Sequence, residues 1–227
     1  MADFPFDAIG FDLDGTLLDT HQDLGAAVNH ALALGGFAPV PVSHVEGLIG
    51  GGAKLMLQRA LEERGGVPED EFRRLYKALL AFYADNCAVH TRPYPRVEET
   101  LDTLAARGVA MAVVTNKFES FARDILTTLG LADRFAAIIG GDTLGTHRAK
   151  PAPDPVLAAM EVCGGGRAGD RRRLWLLRQA TARAGRGCGH RVVRRFDPGA
   201  GETLTGCAEP PFLPPRYQLF TAARNSL

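Results

Sequence analysis

The sequence predicts an α/β protein: a Rossmann-like parallel sheet core with a small helical cap inserted after the first strand. Three observations predict it. From about residue 97, apolar runs of strand length alternate with amphipathic helices, the pattern of a parallel sheet covered by helices. Residues 20–90 interrupt that alternation with helical periodicity alone. Polar clusters follow the apolar runs, at the carboxyl strand ends where open parallel sheets bind ligands.

Taken in order, DAIGF at residues 7–11 reads as a buried strand running into DLDGT. A helix follows from Asp19 to about Leu34, and the Gly-, Pro- and Val-rich residues 35–43 read as a loop. Ile49 to Gly66 opens on glycines and continues as an amphipathic helix with Leu55, Leu57, Ala60 and Leu61 on one broad face. Glu69 to about Asn86 is another helix, with Phe72, Leu75, Leu79 and Phe82 at helical spacing. RPYP at residues 92–95 breaks it. Then come helix 97–107, strand 109–114 leading to TNK, helix 119–129, strand 135–139 leading to GGD, and a helix over 156–163 after KPAPDP. The implied division is a core of residues 1–19 and 91–227 and a cap of residues 20–90, with no internal repeat.

The bulk properties narrow the function. A chain of 227 residues that is 46% hydrophobic can bury a proper core. Its formal net charge of zero gives no reason to expect nucleic acid or an acidic membrane as partner. No apolar run reaches membrane-spanning length. The start of the chain carries Asp3 and Asp7 rather than a basic region and an apolar stretch, so no secretory signal is expected. Cys87, Cys163, Cys188 and Cys207 are scattered without metal-ligand spacing, which suits the reducing cytoplasm.

Three clusters carry candidate chemistry. Asp12 and Asp14 alternate around Leu13 at a strand end, where two carboxylates can share a divalent cation such as magnesium. Gly15 permits a tight turn, and Thr16 offers a hydroxyl and an amide to phosphate oxygens. An isolated DxDG is more often a surface turn. A calcium loop fits poorly, because an apolar strand leads in and Asp23 stands where a bidentate Glu belongs. Thr115 ends an apolar strand, where a hydroxyl and free amides can bind an anion or the Thr can simply cap the next helix. Lys150 is one of only four lysines in an arginine-rich chain, and it falls in a loop where a fixed positive charge is needed rather than a solvated one.

The set DLDGT, VTNK, GGDT and KPAPDP, in this order, resembles the haloacid-dehalogenase superfamily of phosphohydrolases. Within it, IGGGAKLML and GGDT resemble the bacterial phosphoglycolate phosphatase family, and the resemblance covers residues 4 to about 166. It implies a magnesium-dependent hydrolase of a small phosphomonoester, 2-phosphoglycolate first. A sugar-phosphate phosphatase or phosphomutase is the alternative, and a catalytically impaired homologue that binds anions or a partner is the non-enzymatic one. By resemblance, Asp12 is the nucleophile that forms an aspartyl-phosphate, and Asp14 is the acid that protonates the leaving alkoxide and then activates water. Thr115 and Asn116 bind phosphate, and Lys150 balances charge around Asp12. Mg2+ would be held by Asp12, the Asp14 carbonyl and an acidic residue of a fourth motif, for which Asp170 is the candidate. Gly50–Gly52 with Lys54, opening a cap helix, suits a substrate carboxylate, with Gly51 and Lys54 as its ligands, unless the glycines are only a hinge. The expected partner is a small phosphorylated metabolite, with neither nucleic acid nor membrane, for a monomer or homodimer.

The resemblance breaks near residue 168. Residues 1–166 hold 14 Lys+Arg and 22 Asp+Glu, whereas residues 167–227 hold 12 Arg, no Lys and 4 Asp+Glu. The fourth motif should be a strand followed by GDxxxD. Gly169-Asp170 has no apolar strand before it, and Leu174 stands where the second Asp belongs. TARAG at Thr181–Gly185 does lie at the expected distance, but the residues beyond it carry neither periodicity. Residues 168–227 are therefore expected to be irregular or disordered, and turnover to be weak or absent. One hypothesis, motivated by the charge reversal at a single point, is that this segment is read partly out of frame from a GC-rich gene. The gene sequence tests it: an alternate frame that restores no GDxxxD ends the idea.

Overall fold

The computed structural model describes residues 7–49, 51–145, 147–164, 174–179 and 217–221. Its centre is a five-stranded sheet. The strands are β1 (Ala8–Phe11), β4 (Ala110–Val114), β5 (Ala137–Ile139), β6 (Leu174–Gln179) and β7 (Tyr217–Thr221), in the order β5-β4-β1-β6-β7. All neighbours are parallel except β6 and β7. Alternation along the strands sorts side chains between two layers. Ile9, Phe11, Met111, Val113 and Ile138 join the large hydrophobic cluster, while Ala8, Ala112, Val114 and Ile139 meet Val156, Ala159 and Cys163 of helix α7 (Asp154–Cys163). A sheet buried on both faces explains why these strands read as continuous apolar runs.

Four helices make up the insertion that follows β1: α1 (His21–Leu34), α2 (Val42–Leu48), α3 (Ala53–Glu62) and α4 (Glu69–Asn86). In α1, Leu24, Ala27, Val28, Ala31 and Leu32 are buried, one helical stripe that packs on α4. Pro68 precedes α4, and Glu69, Asp70 and Glu71 occupy its first turn, where carboxylates suit the positive end of the helix dipole. Its buried stripe is Phe72, Leu75, Leu79 and Tyr83 rather than the expected Phe82, which is only half-buried. In α3 the buried residues include Met56, while Leu55 turns to a cavity described below. Helix α2 was expected as loop in its first two residues.

The insertion joins the core through a two-stranded ribbon, β2 (Leu18–Asp19) antiparallel to β3 (Arg92–Pro93). Beside it Asp23, 2% exposed, accepts the amides of His90 and Thr91 and the Thr91 hydroxyl at 2.8–3.0 Å. After the ribbon, α5 (Val97–Ala106), β4, α6 (Glu119–Thr128), β5 and α7 complete the alternation expected of this half.

The expectation that residues 168–227 are irregular or disordered is corrected for two stretches, β6 and β7. Leu174–Gln179 lies parallel to β1, with Ala8 opposite Leu174 and Phe11 opposite Leu177, and Tyr217–Thr221 closes that side antiparallel. Strand β1 offers an unpaired edge there, and ladder bonding does not need alternating polarity. Asp170 and TARAG lie outside the described residues. The register does fix one point: β6 starts level with the amino end of β1, so Arg178 and Gln179 are the residues that carry it past Phe11 toward Asp12. Among the described residues no helix is long and apolar enough to cross a membrane.

Candidate active site

The loop after β1 is wound around one carbonyl. Leu13 O accepts the amides of Thr16, Leu17 and Leu18, and Gly15, at φ 73°, donates to Leu18 O at 2.9 Å. A positive φ of this kind favours glycine. The Thr16 amide, expected on phosphate, is thus spent on the turn at 3.2 Å, and Thr16 itself is buried. What the turn achieves is to present Asp12 and Asp14 together on a cavity of about 680 Å³.

Each carboxylate meets a lysine. Lys150 Nζ lies 2.9 Å from Asp12 Oδ1 and also donates to Val114 O at 2.7 Å, so the end of β4 aims it at Asp12. Asp12 Oδ1 accepts the Leu13 amide at 2.9 Å as well. Lys117 Nζ lies 3.0 Å from Asp14 Oδ1, and the same oxygen accepts the Thr20 hydroxyl at 2.9 Å. Lys117 is 6% exposed and donates to the Tyr83 hydroxyl of α4 at 2.8 Å. Burial alone would lower the Lys117 pKa, but Asp14 and Tyr83 beside it outweigh that and hold it above the ordinary lysine value. Burial pushes the Tyr83 phenol up to about 12, with Lys117 pulling the other way.

The loop after β4 is braced rather than free. Thr115 donates its amide to Ile139 O at 3.0 Å, and its hydroxyl oxygen accepts the Lys117 amide at 3.1 Å. The expected anion-binding amide of Thr115 is therefore part of the sheet, and the hydroxyl proton is what it retains for a ligand. Asn116 donates its side-chain amide to Lys150 O at 3.0 Å, which makes that side chain a support of the Lys150 loop. Its Oδ1 is buried with no hydrogen-bond partner among the described residues. GGDT is the second brace. A Cβ on Gly141 would sit 2.6 Å from Asn116 O, so only glycine lets the two loops approach. The Gly141 amide donates to Lys117 O, and Asp142 accepts the first amide of α6 at 2.8 Å.

The opposite wall comes from the insertion. Gly51, Gly52, Ala53 and Lys54 line it at the start of α3, with Ile49, Leu55, Tyr76 and Leu80 beyond them and Phe118 and Phe121 from the core side. Gly51 and Lys54 thus share a cavity with Asp12, Asp14, Thr115, Asn116 and Lys150. Lys117, Tyr83 and Thr20 were not anticipated. Lys117 had the same signal as Lys150, a rare lysine beside a candidate motif; Tyr83 had none.

Asp12 and Asp14 supply hard oxygen donors at a strand end, a set that fits magnesium retaining several waters. Among the described residues no group of three or more His, Cys, Asp or Glu side chains gathers around a common point.

A family profile of haloacid dehalogenase-like hydrolases matches residues 6–171, and the chain belongs to that family. More particularly, it is 42% identical over 156 residues to the Agrobacterium fabrum protein named phosphoglycolate phosphatase, covering 68% of this chain and 66% of that one. The Aquifex aeolicus phosphoglycolate phosphatase is 38% identical over 155 residues, 68% of each chain. A crystal structure of a predicted phosphoglycolate phosphatase from Haemophilus somnus matches with TM-score 0.64 and 35% identity over 70% of this chain and 72% of that one. This chain thus spans about two thirds of the length of the curated relatives it matches.

Proposed function

We propose that this chain is a magnesium-dependent phosphatase of small phosphomonoesters, with 2-phosphoglycolate as the first substrate to test. The observation that carries the reading is the pair of lysine-held carboxylates, Asp12 with Lys150 and Asp14 with Lys117, facing one cavity. The relatives named phosphoglycolate phosphatase support the choice of substrate.

The Asp12 carboxylate oxygen attacks phosphorus, and the bond to the ester oxygen breaks. Asp14 passes a proton to the departing alkoxide. The resulting acyl phosphate on Asp12 is attacked by water, whose proton returns to Asp14, and phosphate leaves. Splitting the reaction in this way matters because phosphate-monoester hydrolysis in water is among the slowest reactions known. Lys150 offsets charge near Asp12 throughout, and the Thr115 hydroxyl can donate to a phosphoryl oxygen. Magnesium held by Asp12 and the Asp14 carbonyl would supply further charge stabilisation. The start of α3, with the Gly51 backbone and Lys54, is the place for the carboxylate of a two-carbon acid.

A second reading is favoured by one observation. Strand β6 continues toward Asp12 with Arg178 and Gln179, neither of them acidic. A phosphatase fold with an incomplete metal site would bind anions and turn over slowly. We therefore expect magnesium-dependent turnover well under about 1 per second, the low end of ordinary enzyme rates. A panel of 2-phosphoglycolate, sugar phosphates and p-nitrophenyl phosphate, with and without magnesium and with Asp12→Asn as control, tests both readings. Turnover at ordinary rates removes the second; magnesium-independent turnover that survives Asp12→Asn removes the first.

A further inference from the structure

Lys117 stands between the two halves of the molecule. Its ammonium donates to Tyr83 Oη of α4 at 2.8 Å and lies 3.0 Å from Asp14 Oδ1 in the core. The same ammonium is 4.6 Å from the Tyr83 ring centroid. Tyr83 is in turn fixed edge-on by Phe121 of α6, at 5.4 Å between ring centroids. The lysine side chain is 4% exposed and Asp14 16%. A buried ammonium so placed has only the partners that the fold gives it, and losing one leaves a charge without compensation.

The consequence falls on Asp14. Among the described residues, the bonds from Lys117 and from Thr20, the latter at 2.9 Å, both end on Oδ1. Two donors on one oxygen fix the plane of the carboxylate and leave Oδ2 as the atom for proton transfer. Thr20 lies at the outgoing linker of the insertion, and Tyr83 lies on its last helix. Neither touches the reacting atoms, yet each bears on the acid.

We propose that Lys117 is the positioning residue of the acid Asp14, and that Tyr83 makes this positioning depend on contact between the helical insertion and the core. The inference rests on the reading of Asp14 as the proton donor. A general acid that is out of place by an ångström costs most where the leaving group most needs a proton. An alkyl ester such as 2-phosphoglycolate leaves as a basic alkoxide. The p-nitrophenolate of p-nitrophenyl phosphate leaves with little help. The proposal therefore predicts selective damage, and a merely structural role does not.

The experiment compares the full chain with Tyr83→Phe and Lys117→Met on these two esters in magnesium. The expected result is that the ratio of kcat/KM on 2-phosphoglycolate to kcat/KM on p-nitrophenyl phosphate falls at least about tenfold in both variants, a partial loss of the roughly 10²–10⁴-fold ascribed to general acid catalysis. That ratio reports the leaving-group step alone, because the acyl phosphate is common to both esters. A second readout is independent of turnover. The chain has four lysines, and Lys54 and Lys77 are exposed while Lys117 is buried. Brief acetylation followed by mass spectrometry should modify Lys54 and Lys77 in every form. It should modify Lys117 several-fold faster in Tyr83→Phe than in the unaltered chain. Equal loss of kcat/KM on the two esters overturns the positioning role. Unchanged protection of Lys117 in Tyr83→Phe overturns the bridge to the insertion. A chain inactive on both esters overturns the phosphatase reading and the positioning role with it, and the acetylation result still decides the bridge.

Discussion

At the sheet end of the cavity every charged group is held by more than one neighbour. Lys150 is shared between Asp12 and Val114 O, Lys117 between Asp14 and Tyr83, and the loops carrying them are tied by Asn116 and Gly141. At the helical end, Ile49, Leu55, Tyr76 and Leu80 contribute surface and volume, and Lys54 is the exposed cation on the edge. The first region is a network in which moving one group moves the rest. The second is a wall whose residues can change one at a time. Chemistry is thereby fixed in one place and the choice of substrate is left adjustable in the other.

Substitutions on the two sides should behave differently, and the largest contrast comes from the sheet end. Asp12→Asn should lower kcat by at least about 10⁴-fold, since removal of a nucleophile costs this much in comparable covalent enzymes. Steady-state assays check it; retained turnover would move the nucleophile elsewhere. On the opposite wall, Leu80→Ala should raise KM for the best substrate by about tenfold, the scale of losing a few methylenes from an apolar pocket, with kcat nearly unchanged. A loss confined to kcat would instead make that wall part of the chemistry.

A weaker effect separates the two regions by pH. Tyr83 holds its proton up to about 12 in the folded chain against an ordinary 10.0. Between those values the unfolded chain releases a proton that the folded chain keeps, so stability falls as pH rises through the window. Lys117, raised by Asp14 and Tyr83 against its burial, acts in the same direction. Thermal unfolding from pH 9 to 11 should fall more steeply in the unaltered chain than in Tyr83→Phe. The smallest effect is expected from the surface of the insertion. Arg74 pairs with Glu71 at 2.7 Å at the surface, the two side chains 54% and 33% exposed, and Arg74→Ala should move the midpoint of a melting curve little.

The sequence carried the strand-end logic well. Asp12, Asp14, Thr115 and Lys150 meet because alternating strands and helices bring carboxyl strand ends to one side, and α4 matches its expected bounds because its apolar spacing is strong. Pairings between distant residues left no such trace. Lys117 and Tyr83 are 34 positions apart, and nothing in either neighbourhood announces the other. The ribbon of β2 and β3, two residues per strand, is too short to show a period. The amides of Thr16 and Thr115 looked available because a sequence does not say which carbonyl is already within reach. Strand β6 does carry a signal, the apolar run from Leu174 to Leu177, but it lies after Gly169-Asp170, where the resemblance places no strand.

Asp23 gives the insertion a property of its own. The chain leaves the core near Asp23 and returns 67 residues later, at His90. Bringing two points together across such an excursion costs roughly 4 kcal/mol of chain entropy for a flexible loop. Hydrogen bonds to a charged group contribute about 1.5–3 kcal/mol each, and Asp23 accepts from three donors at the point of return. One buried carboxylate is thus enough to seal the excursion at its neck. A segment closed in this way can be lengthened, shortened or exchanged without asking the sheet to refold around it.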